Sequence, residues 1–316
     1  MKNLLLFTFI FLLMLPNIKS QEEKAVTYDI SFDMKTLVYH TYRFTENVSV
    51  TRVFEDSTIN KYTKSVTYWF TAFIPGDKDE NGFLKVEVST DSMKYQFNSP
   101  KKNIDYSTQN FDQPLPISDI GFLNSFLSNN QKFFFIYSSY GDVAKIDGER
   151  LQKEREIHSK IKDVEKRDFL LNALSDNTLE FKFDVTKGVY PTFQVNKDTN
   201  WISNANLFVN NIPQNGKIVN TFEGFKNNEY KIKSSIDNLN LDKPIEKYYF
   251  PDIDTYGTVE SAVSTGEKTT EMFTGGTVKY KKGSLKSLVE GKVKNLRYKE
   301  VVKSDYTWDL LKRFSY

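Results

Sequence analysis

Lys61–Ile74 reads KYTKSVTYWFTAFI, Pro75–Gly82 reads PGDKDENG, and Phe83–Val88 reads FLKVEV. Tyr62, Val66, Tyr68, Phe70, Ala72 and Ile74 all fall at even positions, with Thr63, Ser65, Thr67 and Thr71 between them. A period of two is that of a β-strand, whose successive side chains point to opposite faces of a sheet. The Pro, Gly, Asp and Asn residues that follow are turn chemistry. Leu84, Val86 and Val88 then resume the alternation, so the three parts read as an antiparallel hairpin with one face in water.

The same period extends on both sides. Val26, Tyr28, Ile30, Phe32 and Met34 alternate with polar residues, and Val48 and Val50 mark a short strand. Residues 98–116 are rich in Asn, Ser, Lys, Asp, Gln and Pro and read as a crossing loop. Pro116-Ile-Ser-Asp opens a short helix ending near Asn129, and the aromatic run Phe133–Tyr137 reads as a strand buried on both faces. From Glu149 to Leu174, Leu151, Ile157, Ile161, Val164, Phe169, Leu170 and Leu174 recur every three to four positions in a charged background, which predicts one long helix. Leu179, Phe181, Phe183 and Val185 return to strand alternation, and from Leu207 onward short strands are parted by glycine and asparagine turns. Apolar parity switches between Val289 and Val293 on one side and Leu296, Tyr298 and Val302 on the other, which predicts a β-bulge near Gly291.

The expected fold is therefore mainly β, of the α+β kind. It is a large curved antiparallel sheet, or two packed sheets, with one long and one short helix. Few strands are separated by helices, which excludes a parallel α/β sheet. The expected organisation is a signal peptide at 1–20, an N-terminal antiparallel β region at 21–115 and a helix-containing β region at 116–316, the last two continuous as one fold.

Lys2, the uncharged run Leu4–Leu15, Pro16 and Ser20 form the three-part pattern of a secretory signal. The run is shorter than the ~20 residues of a membrane-spanning helix. The expected localisation is export, to a periplasm or the extracellular space, with no transmembrane segment after the signal is removed. The chain has 43 Lys plus Arg and 41 Asp plus Glu, which argues against a nucleic-acid partner. It has no Cys, so thiol catalysis, Cys-ligated zinc, iron–sulfur clusters and a disulfide framework are excluded, and stability must come from a conventional core. Its 26 Phe, 18 Tyr and 3 Trp suit half-buried pleated surfaces, some of them lining a concave apolar site.

Gly141-Asp-Val-Ala-Lys-Ile-Asp-Gly148, the helix after it, Val189-Tyr-Pro-Thr-Phe193, Val195–Trp201 and Gly275–Gly283 occur in an order that resembles a family of exported bacterial proteins and predicted lipoproteins, defined as a domain of unknown function. Asn196-Lys197 stands where that family often has glycine, and the lipobox Cys is missing. More loosely, the chain is similar to periplasmic lipoprotein-carrier folds. That similarity implies a curved antiparallel sheet wrapped around helices and an apolar cavity.

Asp77, Asp79, Asn81 and Gly82 spell the first half of a calcium loop, in which closely spaced oxygens surround a hard cation. The twelfth position is Val88 rather than Glu, so the candidate is a weak calcium site set against a plain hairpin tip; no other cofactor is expected. His40 and His158 are far apart and lack metalloprotease spacing, and His158 is expected in solvent. No nucleophile elbow and no phosphate-binding glycine motif is present. Asp252 and Asp254 could share a face as a hydrolase carboxylate pair, but a turn explains them better. Asn47-Val-Ser49 matches a glycosylation sequon. Lys279–Arg313 carries 11 basic residues, read as a solvated outer face. The functional expectation is non-enzymatic binding of a lipid, or of another apolar or amphipathic ligand, on the concave sheet. The alternatives are an envelope protein that interacts with other envelope proteins through a sheet edge, and a carboxylate-pair hydrolase.

Overall fold

Among the described residues strand makes up 62%, against two short helices, α1 and α2 below, so the protein is mainly β. The computed structural model describes residues 26–108, 132–164, 167, 168, 171 and 174–315. The expected signal peptide and the expected short helix at Pro116–Asn129 lie outside the described residues.

The elements in chain order are β1 Val38–Phe54, β2 Ile59–Phe73, β3 Leu84–Asn98, β4 Asn103–Ser107, β5 Lys132–Tyr137, β6 Val143–Asp147, α1 Glu149–Ser159, α2 Asp176–Phe183, β7 Asn200–Val209, β8 Ile212–Lys226, β9 Glu229–Asn240, β10 Ile245–Phe250, β11 Thr255–Phe273, β12 Val278–Val293 and β13 Leu296–Ser315. All thirteen strands belong to one antiparallel sheet, ordered β6-β5-β3-β2-β1-β13-β12-β11-β9-β8-β7, with β4 also on β3 and β10 on β11. The strands form one hydrogen-bonded sheet, not two packed ones.

Most neighbours in this order are also neighbours in sequence, joined by tight turns. Asn210-Asn211 and Asn227-Asn228 have positive φ at both positions, the two-residue hairpin geometry that asparagine tolerates. The exceptions are β3 beside β5, β9 beside β11 and, at the centre, β1, which pairs with β13 from Val38↔Ser315 to Phe54↔Tyr298. The first and last strands thus join the two arms of the sheet.

Each strand buries alternate residues. In β1 and β13 the inward positions are even, in β12 they are odd, and in β3 the phase slips from even to odd across Asp91, where the pairing with β2 is bulged. Bulges of this kind bend and twist a sheet. The sheet curls until its arms meet: Asn210, in the β7–β8 turn, donates from Nδ2 to Tyr62 Oη in β2 at 2.6 Å. The inner face encloses one large core and the helix α2; a smaller core packs Ile30, Val195, Trp201, Phe222, Ile232 and Met272.

Four sequence expectations need correction. First, residues 26–35 alternate in burial, with Ile30, Phe32 and Met34 inward, but join no ladder; their one bridge is Tyr28↔Val195. Alternation reports an extended backbone, not a paired one. Second, the long helix expected over Glu149–Leu174 is broken after Ser159, with Val164, Arg167, Asp168 and Leu171 helical again among the described residues; the buried residues of α1 are Leu151 and His158, with Ile157 turned outward. His158 is therefore buried rather than solvated. Third, Leu179–Val185 is not a strand; its first five residues belong to α2. Fourth, the parity switch near Gly291 is the Lys294-Asn295 hairpin turn, and the bulge lies in β11 opposite Gly291, between Val259 and Ser261.

Candidate functional site

The curled sheet holds α2 against its inner face. Ser175 caps the helix, its Oγ accepting from the Thr178 amide at 3.3 Å, and Asp176 in the first turn suits the positive end of the helix dipole. Arg155 of α1 fixes the entry by donating to Leu174 O from Nε at 3.0 Å and from Nη2 at 2.6 Å. Leu179, Phe181 and Phe183 are all buried, although they cannot share one helical face. A helix enclosed by sheet has apolar residues around much of its circumference, which is why eight residues of helix imitate a strand in sequence.

The surroundings of α2 are aromatic. The Phe181 ring lies 5.8–6.3 Å from Phe208, Phe44, Tyr306 and Trp308, and the Phe183 ring lies 5.2–5.6 Å from Phe70, Tyr68 and Phe133. Most of these pairs are edge-on, the arrangement the ring quadrupoles favour. Trp308 Nε1 donates to Lys182 O at 3.0 Å.

Beside the rings sit charged groups that a packing core would not contain. Lys281 of β12 donates to Val185 O at 3.3 Å and to Lys187 O at 3.4 Å, and its Nζ lies 4.8 Å from the centre of the Trp308 ring. Lys182 donates to Tyr68 Oη at 3.2 Å. Burial disfavours the charged form, so the pKa values of Lys182 and Lys281 fall to about 8, and that of Lys268 falls well below its ordinary value, with Lys281 adding repulsion. Lys187 pairs with Glu180. Asp184 Oδ1 accepts from Tyr137 Oη at 2.9 Å, Thr186 N at 2.9 Å and Thr186 Oγ1 at 2.6 Å. Lys268, Lys281, Asp184, Glu180, Phe181, Tyr306 and Trp308 border a void of ≈ 20 Å³ whose rim is Lys187, Gly188 and Asn204.

A second buried polar centre lies farther along β1. Arg52 is fully buried. Its Nε donates to Glu300 Oε2 at 2.8 Å and its Nη1 donates to Asp252 at 2.9 and 3.1 Å. The guanidinium carbon stands 4.3 Å from the Phe250 ring centre. Burial opposes the guanidinium charge, but Glu300 and Asp252 outweigh it and raise the Arg52 pKa; burial raises that of Glu300 against the opposing pull of Arg52. Nearby, Lys64 donates to Asn210 Oδ1 at 3.2 Å and Tyr248 Oη donates to Asn210 O at 2.5 Å. The guanidinium fills the space between the two carboxylates, so the arrangement ties β1, β13 and the β10–β11 connection together and leaves no place for a substrate between them.

The residues nominated from sequence are dispersed. Asp77, Asp79 and Asn81 are exposed in the β2–β3 connection, where Asp79 Oδ1 accepts from Asn81 N and Phe83 N, both at 2.9 Å. Asp252 is inside on Arg52, while Asp254 is outside and accepts from Tyr249 Oη. Asn47 lies on the outer face, in a polar groove of ≈ 570 Å³ across β13, β1, β2, β3 and β4, and accepts from Ser65 Oγ at 2.7 Å. Among the described residues no cluster of three His, Cys, Asp or Glu is placed to hold a metal ion. The basic C-terminal stretch does point Lys282, Lys286, Lys299 and Lys303 outward, but Lys281 is turned in. Inward parity was the available signal for the buried charges: Arg52 follows Val48 and Val50, Glu300 stands between Tyr298 and Val302, and Lys64 between Tyr62 and Val66.

The sequence matches no protein-family model and no curated protein. Among solved structures, a lipovitellin determined in a study of its lipid–protein interactions aligns with 89% of this chain at 11% identity and a TM-score of 0.48; the chain spans about a quarter of that protein, 26%. DynF from the dynemicin biosynthesis pathway of Micromonospora chersina aligns over 90% of this chain and 85% of its own, at 5% identity and a TM-score of 0.24. OpdQ of Pseudomonas aeruginosa aligns over 81% of this chain and 63% of its own, at 10% identity and a TM-score of 0.14.

Proposed function

We propose that this is a non-enzymatic binding protein whose concave aromatic face holds an apolar or amphipathic ligand, with α2 resting on that face in the conformation described. The observation that carries the reading is the combination around α2 of an aromatic cradle with two buried lysines, Lys268 and Lys281, and the half-buried Lys182. Hydrophobic packing alone favours Met or Leu at such positions, because a desolvated ammonium is costly. Buried ionisable groups with displaced pKa values beside an apolar surface are a recurrent mark of binding sites. Export to a periplasm or the extracellular space, and kinship with the exported, lipoprotein-like family, belong to the same proposal and rest on the N-terminal pattern and the motif order.

The test is native mass spectrometry of the gently purified protein, combined with amide hydrogen exchange of Leu179–Phe183 with and without dodecanol. Binding is expected to change the protection of these amides, since ligand and helix meet on one surface. A protein that retains no amphiphile, and whose α2 amides exchange identically with dodecanol present, overturns the reading.

A further inference from the structure

The charges around the void do not balance. Lys187 is paired with Glu180, and Lys182 has the Glu46 carboxylate in its field. That leaves Lys268 and Lys281 with a single carboxylate, Asp184, whose Oδ1 is already taken by Tyr137 and Thr186. Lys281 reaches two backbone carbonyls at long distances, and Lys268, only 4% exposed, has no hydrogen-bond partner among the described residues. The two lysines lie diagonally on adjacent strands, since Lys268 pairs with Gly283 and Lys281 with Thr270, and both border the same void. At ≈ 20 Å³ that void holds about one water-sized group, so a carboxylate enters only as the two lysine side chains draw apart.

We infer that Lys268 and Lys281 form an anion site for a carboxylate, the acidic head of an amphipathic ligand whose chain runs past Phe181, Tyr306 and Trp308. A carboxylate supplies the missing negative charge and accepts charge-assisted hydrogen bonds from both ammonium groups. The void's rim at Lys187, Gly188 and Asn204, where Ser203 Oγ donates to Gly188 O at 3.3 Å, borders the edge strand β7 and gives the path from solvent. The head-group site stands on its own residues, while the course of the chain rests on the concave-face reading above.

Calorimetric titration of the full-length protein with sodium dodecanoate, dodecanol, sodium acetate and sodium chloride tests this, alongside Lys268→Met and Lys281→Met. Both substitutions replace a desolvated charge by an apolar chain of similar length, and thermal melting confirms that each variant is folded. Dodecanoate is expected to bind about tenfold or more tightly than dodecanol, the worth of one charge-assisted hydrogen bond, and Lys268→Met is expected to abolish the difference. If the acid and the alcohol bind alike and Lys268→Met changes neither, the anion site is refuted while the concave face stands. If only acetate or chloride binds, and Lys268→Met removes it, the anion site holds with a free ion as its occupant and the concave-face reading fails. Binding of none of the four refutes both.

Discussion

Replacing Arg52 by Met should strand two carboxylates inside the protein. The Arg52 side chain is wholly buried and stands 2.9 Å from Asp252 and 2.7 Å from Glu300, which are themselves almost inaccessible. Glu300 Oε1 already lacks a hydrogen-bond partner among the described residues, so nothing nearby can take over from the guanidinium. Removing one partner of a buried ion pair costs about 3–5 kcal/mol, because the remaining charge is left desolvated. For a chain of this size each kcal/mol moves the melting temperature by roughly 2 °C, so the variant should melt roughly 6–10 °C lower at neutral pH. The pH dependence follows from Glu300. Its pKa is already raised by burial, and Arg52 is what holds it down; without Arg52 it rises further. A carboxyl whose folded pKa is raised favours the native state in its protonated form, below its unfolded pKa, and loses that contribution as pH rises through the folded value. The deficit of Arg52→Met should therefore be largest near pH 7 and shrink as pH falls through the carboxylate range. Adding Asp252→Asn and Glu300→Gln should recover much of the loss. Urea and thermal melts at pH 7 and pH 5 read both effects. A deficit below about 1 kcal/mol at pH 7, or one independent of pH, would show that water reaches these carboxylates and that the buried-network argument is mistaken.

Other perturbations probe separate parts of the molecule. His40 is buried with neither ring nitrogen bonded among the described residues, and burial followed by the charge of Arg313 lowers its pKa to about 4. The unfolded chain therefore binds a proton that the native state refuses, and stability present above the ordinary pKa is lost as pH falls through about 4; this single group removes about 3 kcal/mol, and urea melts of His40→Phe should be flatter in pH by that amount. Phe181→Ala deletes a ring packed among Phe44, Phe208, Tyr306 and Trp308 and should cost about 3–5 kcal/mol in chemical denaturation; a loss under about 1 kcal/mol would mean that α2 is not seated on the sheet. Gly283→Ala would put a methyl group 2.3 Å from Tyr306 Cζ on the neighbouring strand, so the ring must move, at about 1–3 kcal/mol by the same assay. At the hairpin tip, Asp79 Oδ1 is already committed to two amides, so millimolar calcium should leave the Gly82 amide resonance unmoved; a saturable shift would establish the calcium site instead.

Local sequence determined the substance of this protein's body. Alternation at Tyr62–Ile74 and Leu84–Val88, with turn residues between, yields β2, β3 and their antiparallel pairing, because side-chain direction in a strand depends only on position parity. The same parity placed Arg52, Lys64, Glu300, Lys268 and Lys281 on inward positions, although their residue types argued for solvent. Periodicity could not reveal that Leu179–Phe183 is helical, because a short helix enclosed by a sheet is apolar on several sides, and that enclosure exists only once both arms have curled. Nor could it pair Arg52 with Asp252 and Glu300, 200 and 248 residues away, or bring Lys268 beside Lys281. Those meetings are set by strand register and sheet curvature. Register and curvature arise from the pairing of β1 with β13 and from bulges such as the one at Asp91, so the electrostatics of the interior belong to the tertiary structure alone.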